Sequence, residues 1–295
     1  MKNKCNIKIS KLETRNSRDV FMLFSALNAI GYNTENNTKG MTAVRKKVRK
    51  VLLKYNWNEK YPNLNKALKI YHPWHLLNTI FARPKNIKEI SVLNRFTIDL
   101  RKFSKEPMVL KLWKTLKLYQ TKETKKLLPL LKRETTRLIK FIKTPPRQIN
   151  KIIIMANPLD AYWNGYAFGA GMGSGTSEKE TSYIVSGPGT KEDYSVLIRH
   201  ELLHILAPSL QLPARIITDR NNKRLTALGY SGSRIIDREY IVRSLCLLYG
   251  SEVLKRDISM DIKREEKDFP NIREVMAFVN KNIREDKKRG GPKAV

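Results

Sequence analysis

The stretch Arg199-His200-Glu201-Leu202-Leu203-His204-Ile205 constrains this chain more than any other. It carries the pattern H-E-x-x-H in an apolar, helix-forming context. At i and i+4 the two imidazoles stack on one face of a helix, and Glu201 falls in the same sector. The chain has only four histidines, and two of them are here. Two imidazoles at this spacing can hold one Zn²⁺, with the adjacent carboxylate placed to activate a metal-bound water. The plain alternative is a helix whose two histidines have no chemical role.

The flanking sequence gives that helix a setting. Thr190 with Asp193 three residues on is a capping-box pattern that starts it, and Pro208 marks where it must have ended. Upstream, Lys151–Met155 is a β-branched run that reads as a strand. Ala161–Phe168 is aromatic-rich and alternating, a second strand, and Thr181–Ser186 is a third. The glycine-rich run from Gly169 to Gly175 fits neither G-x-x-x-x-G-K-S/T nor G-x-G-x-x-G, so a phosphate cradle is not expected there.

A hydrolytic zinc site takes three protein ligands and leaves one position open. No third histidine follows His204, and Ala207 stands where a metzincin has glycine, so the three-histidine pattern is excluded. A carboxylate must then complete the set. Asp219, Asp237, Glu239, Glu252 and Asp257 are the candidates. Glu239 is the strongest on physical grounds, because it lies in an apolar helical run from Ile235 to Leu248 and shares a face with Ile235, Val242 and Cys246. A carboxylate on a buried face needs a cation. Zn²⁺ is one such cation; Arg243, one turn on, is the other.

Charge divides the chain. Residues 1–150 hold 35 Lys and Arg against 9 Asp and Glu, a net +26; residues 151–295 hold 23 against 18, a net +5. The first region reads as helical. Ser17 caps a helix over about 18–30 that Gly31 stops, and a second helix over about 41–56 sets Val44, Val48, Val51 and Leu52 against a basic face of Arg45, Lys46, Lys47, Arg49 and Lys50. Further helical pattern runs from about 84 to 144, with breaks expected near Pro107 and Pro129. His72 and His75, split by Pro73, read as core or turn residues. Such a basic half attracts polyanions, nucleic acid among them, although a Lys-rich composition gives the same excess. Two distant cysteines fit neither a disulfide framework nor a metal cluster, and no apolar run reaches the ~18 residues of a membrane span. No targeting segment is expected, and a cytoplasmic location fits best.

Strand, aromatic-rich strand, glycine loop, strand, H-E-x-x-H helix and a second helix bearing Glu239 together resemble the gluzincin branch of zinc metallopeptidases. The likeness covers about residues 150–250. More narrowly, it is to compact, largely uncharacterised bacterial and archaeal gluzincin-like proteins. The resemblance implies one zinc ion held by His200, His204 and Glu239, with Glu201 as general base. Thermolysin-like members place an electrophilic tyrosine shortly before the ligand glutamate, a place that Tyr230 occupies here; Tyr240 and Arg243 are alternatives. Two features depart from the pattern. The gap from His204 to Glu239 is longer, and Arg243 stands four residues after the ligand glutamate, where an acidic residue is usual. Asp219 or Asp237 would then accept the free N–H of a ligand histidine.

The expected protein is therefore α+β: a basic, mostly helical region over 1–148 and a zincin-like region over 149–295, with a small mixed sheet and the H-E-x-x-H helix. Its expected activity is peptide-bond hydrolysis by a zinc-activated water, with a peptide or protein as substrate. Tyr162, Trp163, Tyr166 and Phe168 would line an edge that an extended substrate could join, or form plain sheet core. A nucleic-acid-binding protein and a non-catalytic zinc protein are the competing classes.

Overall fold

The computed structural model describes residues 8–32, 41–81, 91–142, 148–169, 181–207, 210–213, 216, 225 and 233–289. Among the described residues are eleven helices and one four-stranded mixed sheet, an α+β fold as the sequence implies. Tyr230 and Asp219 lie outside the described residues, as does most of the glycine-rich run. The chain forms two compact units that interleave along the sequence. A helical unit comprises residues 1–10, 133–149 and 199–295, and a sheet unit comprises 11–132 and 150–198. The division at residue 148 follows charge and helix content; the compact units do not follow it.

The sheet is built from β1 (Lys8–Thr14), β2 (Gln148–Ala156), β3 (Gly165–Gly169) and β4 (Thr181–Ser186), in the order β1-β2-β4-β3. β2 runs parallel to β4, with Lys151 opposite Thr181 and Ala156 opposite Ser186. β3 runs antiparallel to β4, with Gly165 opposite Ser186. Ile152, Ile153, Ile154 and Met155 are all buried, so β2 is covered on both faces. That explains a continuous apolar run in place of alternation.

Helix α1 (Arg18–Ala29) is buried from Val20 to Ala29. Ser17 Oγ accepts the Val20 N–H at 3.2 Å, as its capping position requires. At the other end Gly31 adopts φ +79°, and the N–H groups of Gly31 and Tyr32 return to the carbonyls of Asn28 and Leu27. This is a Schellman closure, which a glycine makes without strain. Around α1 stand α2 (Ala43–Leu52), α3 (Trp57–Lys60), α4 (Pro62–Ile70), α5 (Pro73–Phe81) and α6 (Ser91–Phe103). α2 is shorter than its pattern suggests, and its basic face is not wholly solvated. Arg45 is buried, donating through Nε to Asn28 Oδ1 at 3.0 Å and through Nη2 to the Tyr32 carbonyl at 3.2 Å. Arg49 donates to the carbonyls of Gly31 and Tyr32, both at 2.9 Å. Two of the five basic residues thus serve the open end of α1.

Two other local expectations change. Pro129 does not break the chain: α7 runs unbroken from Pro107 to Ile142. The Pro129 ring and Lys125, whose carbonyl loses its helical partner, both lie on the exposed face, where water can take that carbonyl. Residues 161–164 form a turn ahead of β3, with Trp163 at φ +63° and 44% exposed. Tyr166 and Phe168 are buried in the core of the sheet unit. The Trp74 indole N–H donates to the Ala167 carbonyl at 2.6 Å, and α5 packs against β3. These aromatics are sheet core, and α5 covers their strand.

The helical unit holds the last turns of α7, the second half of α8 (Lys191–Leu206), α9 (Ser233–Glu252), α10 (Ser259–Glu265) and α11 (Ile272–Arg289). α9 packs along α11, and α10 also contacts α11. Among the described residues no helix is long and apolar enough to cross a membrane.

Candidate metal centre

The helix that carries H-E-x-x-H begins as its capping box dictates. Thr190 Oγ1 accepts the Asp193 N–H at 3.3 Å, and Asp193 Oδ2 accepts the Thr190 N–H at 2.8 Å. Its far end is closed by a residue from α9. Arg238 Nη2 donates to the carbonyls of Leu203 at 3.3 Å, His204 at 2.6 Å and Ala207 at 3.1 Å. A guanidinium there satisfies carbonyls that the helix leaves open, and its charge suits the negative end of the helix dipole. Because Arg238 precedes Glu239, the contact that ends α8 also brings the carboxylate of α9 up to the histidines.

A second anchor sits at the start of the motif. Arg199 is buried; its Nε donates to Glu134 Oε2 at 3.1 Å, and its guanidinium lies 4.4 Å from the centroid of the Tyr249 ring. Glu134 on α7 is fully buried and also meets Arg133 at 3.0 Å. This cluster ties α7, α8 and α9 together beside His200. A buried carboxylate so surrounded would be strongly destabilising if left alone.

Three side chains converge between these anchors. His200 Nε2 lies 3.3 Å from Glu239 Oε1, and His204 Nε2 lies 3.2 Å from Glu239 Oε2. The two Nε2 atoms are 3.2 Å apart. Ligands about 2.0–2.1 Å from a tetrahedral zinc are about 3.3–3.4 Å from one another. The two imidazole nitrogens are close to that spacing, each faces its own oxygen of Glu239, and one ligand atom from each of the three residues falls within 4.8 Å of the others. Glu252 and Asp257, two other candidates for the third ligand, are exposed, and the Asp257 carboxylate accepts from the Ser259 N–H and hydroxyl. Asp237 is half-buried on α9.

The surroundings of Glu239 are cationic. Arg243 Nε donates to Glu239 Oε1 at 2.7 Å, while its Nη1 donates to Glu265 Oε2 at 2.6 Å. The same guanidinium stacks 4.4 Å from the Phe269 ring centroid. The two cations weighed for Glu239, a metal and Arg243, therefore do not exclude one another. Burial would raise the Glu239 pKa, but Arg243 and then His200 overcome it and hold the carboxyl well below its usual range. For His200 burial also opposes charge, and the Glu239 carboxylate beside it outweighs burial, raising the imidazole well above its usual value. His204 goes the other way: burial pushes it down to about 4, against the attraction of Glu239. A divalent cation on the same atoms would compete with the proton that Glu239 favours on His200.

Beyond the ligand atoms, His200 Nδ1 faces Cys246 Sγ at 3.9 Å. Glu239 and Cys246, seven residues apart on one face of α9, thus hold both edges of one imidazole. Nothing among the described residues pairs with the buried Nδ1 of His204. Glu201 is 5% exposed, between the two histidines in sequence and about 100° round α8 from His200. Of the possible oxyanion donors, Arg243 is committed to two carboxylates. Tyr240 is fully buried, edge-on to Phe269 at 4.9 Å.

Arg238, Glu134 and Arg199 carry no sequence signature, since each meets a partner 31–65 residues away. Arg238 could have been suspected only from its position beside Glu239. No family model, no curated protein and no solved structure matches this chain.

Proposed function

We propose that this protein is a zinc-dependent metallopeptidase, with His200, His204 and Glu239 as the metal ligands. The observation that carries the reading is the convergence of His200 and His204, whose Nε2 atoms lie 3.2 Å apart, on the two oxygens of the Glu239 carboxylate at 3.3 and 3.2 Å, between helices α8 and α9. Bound zinc supplies Lewis acidity, lowering the pKa of water and polarising a carbonyl. Glu201 takes the proton from the attacking water and passes it to the leaving amine. Arg243 keeps Glu239 ionised and oriented. Arg243 is committed to two carboxylates, so the donor to the developing oxyanion in this reading is Tyr230, with Tyr240 as the alternative.

The test compares wild type with Glu201→Gln on a peptide library, measuring zinc content in the same samples. The variant should keep its zinc and lose about 10²–10⁴-fold in hydrolysis. Equal hydrolysis by both proteins would remove Glu201 from the mechanism. Zinc without hydrolysis in the wild type would make the centre structural.

A further inference from the structure

Between Pro107 and Lys132, every exposed charged position of α7 is a lysine. Lys111, Lys114, Leu118, Lys122 and Lys125 recur at three- and four-residue steps, so they form one stripe. From Lys111 to Lys125 the stripe is about 21 Å long at 1.5 Å per residue. Lys117 and Lys126 flank it. The single acid in this segment, Glu123, is half-buried and pairs with Lys126 at 2.6 Å. Among the described residues no carboxylate pairs with Lys111, Lys114, Lys117, Lys122 or Lys125.

Composition alone does not account for this face. Like charges three and four residues apart cost helix stability, and interleaved glutamates would relieve that at no loss of solubility. The segment from Asp261 to Glu274 does interleave: Arg264 pairs with Asp261 at 3.1 Å, and Arg273 with Glu266 at 2.5 Å. A single-sign row is suited to a polyanion. A bilayer surface is the poorer match. The apolar side of α7 is already spent on the core through Val109, Leu127, Leu130 and Leu131, leaving Leu118 as the one large aliphatic exposed on the stripe. A single strand needs aromatic platforms for its bases, and Tyr119 alone flanks the row.

We propose that the lysine face of α7 binds the phosphate backbone of a nucleic-acid duplex. A stiff row of point charges matches a stiff helix carrying one phosphate per ~1.7 Å of axis. Lysine ammonium groups position a duplex without reading its bases, so binding is sequence-independent. This surface is separate from the zinc reading and stands or falls without it.

The experiment measures anisotropy of a labelled 20-base-pair duplex with the full chain at several salt concentrations. Wild type should bind, with log affinity falling linearly against log salt. Replacing Lys111, Lys114, Lys122 and Lys125 by Gln should lower that slope by on the order of 3, from roughly 0.9 per phosphate contact. The control replaces Lys66, Lys69, Lys102 and Lys105, exposed lysines of α4, α6 and the residues after α6, and changes net charge equally. Its slope should stay near wild type. A double variant, Lys111→Gln with Lys125→Gln, should give about half the drop, and circular dichroism should show all variants folded. Equal losses in the stripe and control variants would overturn the proposal, as would absence of duplex binding or binding to anionic vesicles alone.

Discussion

Arg243 Nε donates to Glu239 Oε1 at 2.7 Å from one turn further along α9, while Glu239 Oε2 faces His204 Nε2 at 3.2 Å. Oε1 is thus shared by the Arg243 guanidinium and His200, whose Nε2 lies 3.3 Å away, while Oε2 is turned to His204. Arg243 is fixed in turn by Glu265 and the Phe269 ring. Arg243→Met should lower zinc affinity about 10–100-fold, as loss of a partner that orients a ligand does. Arg243→Lys should recover only part of this, because an ammonium cannot bridge two carboxylates and stack on a ring at once. Competition titration against a chelating dye reads both values.

Arg238 closes α8 at Leu203, His204 and Ala207. Arg238→Met leaves these carbonyls without their donor and should cost about 1–3 kcal/mol of stability. It should also weaken metal binding, since the same contact sets α9 against His204. Urea unfolding with and without zinc separates the two effects: the zinc-dependent gain in stability should shrink as well as the baseline.

The pH dependence of stability should show two opposed contributions from the sheet unit. Burial, then His75, pushes the His72 imidazole down to about 4. An unfolded histidine binds its proton near 6.5, so the unfolded state holds more protons in between, and stability falls as pH drops from 6.5 to 4. Asp160 behaves oppositely: burial, opposed by hydrogen bonds from Ala161 and Asn164, raises it from 3.8 to about 6. There the folded state holds more protons, and stability grows as pH drops from 6 to 4. Urea midpoints at pH 4.5, 5.5 and 7 should therefore fall more steeply on acidification in Asp160→Asn than in wild type. In His72→Gln the fall should be flattened or reversed. Parallel profiles in all three proteins would contradict both assignments.

What the sequence disclosed follows from range. Ser17 and Gly31 bracket α1, and Thr190 and Asp193 start α8, because each acts on backbone groups within a few residues. His200 and His204 were legible for the same reason, being one turn apart. Glu239 could be inferred because a carboxylate on an apolar helical face demands a cation. Partners far along the chain left no periodic trace, so the Arg199–Glu134 pair, 65 residues apart, and the Arg238 cap emerged only with the fold. Arg45 misled for a related reason: on a helical wheel it belongs with the lysines, yet its guanidinium reaches back to Asn28 and Tyr32. Pro129 misled because a helix tolerates proline where the carbonyl it orphans faces water.

The central claim is that His200, His204 and Glu239 hold one metal ion, and its most direct measurement is metal content. The protein is purified without added metal or chelator, equilibrated with equimolar zinc and desalted, and zinc per chain is measured by mass spectrometry alongside His204→Ala and Glu239→Ala. The expected result is about one zinc per wild-type chain and a loss of most of it in each variant, with circular dichroism showing that both variants remain folded. Wild type that retains no stoichiometric zinc, or variants that retain as much as wild type, would contradict the account.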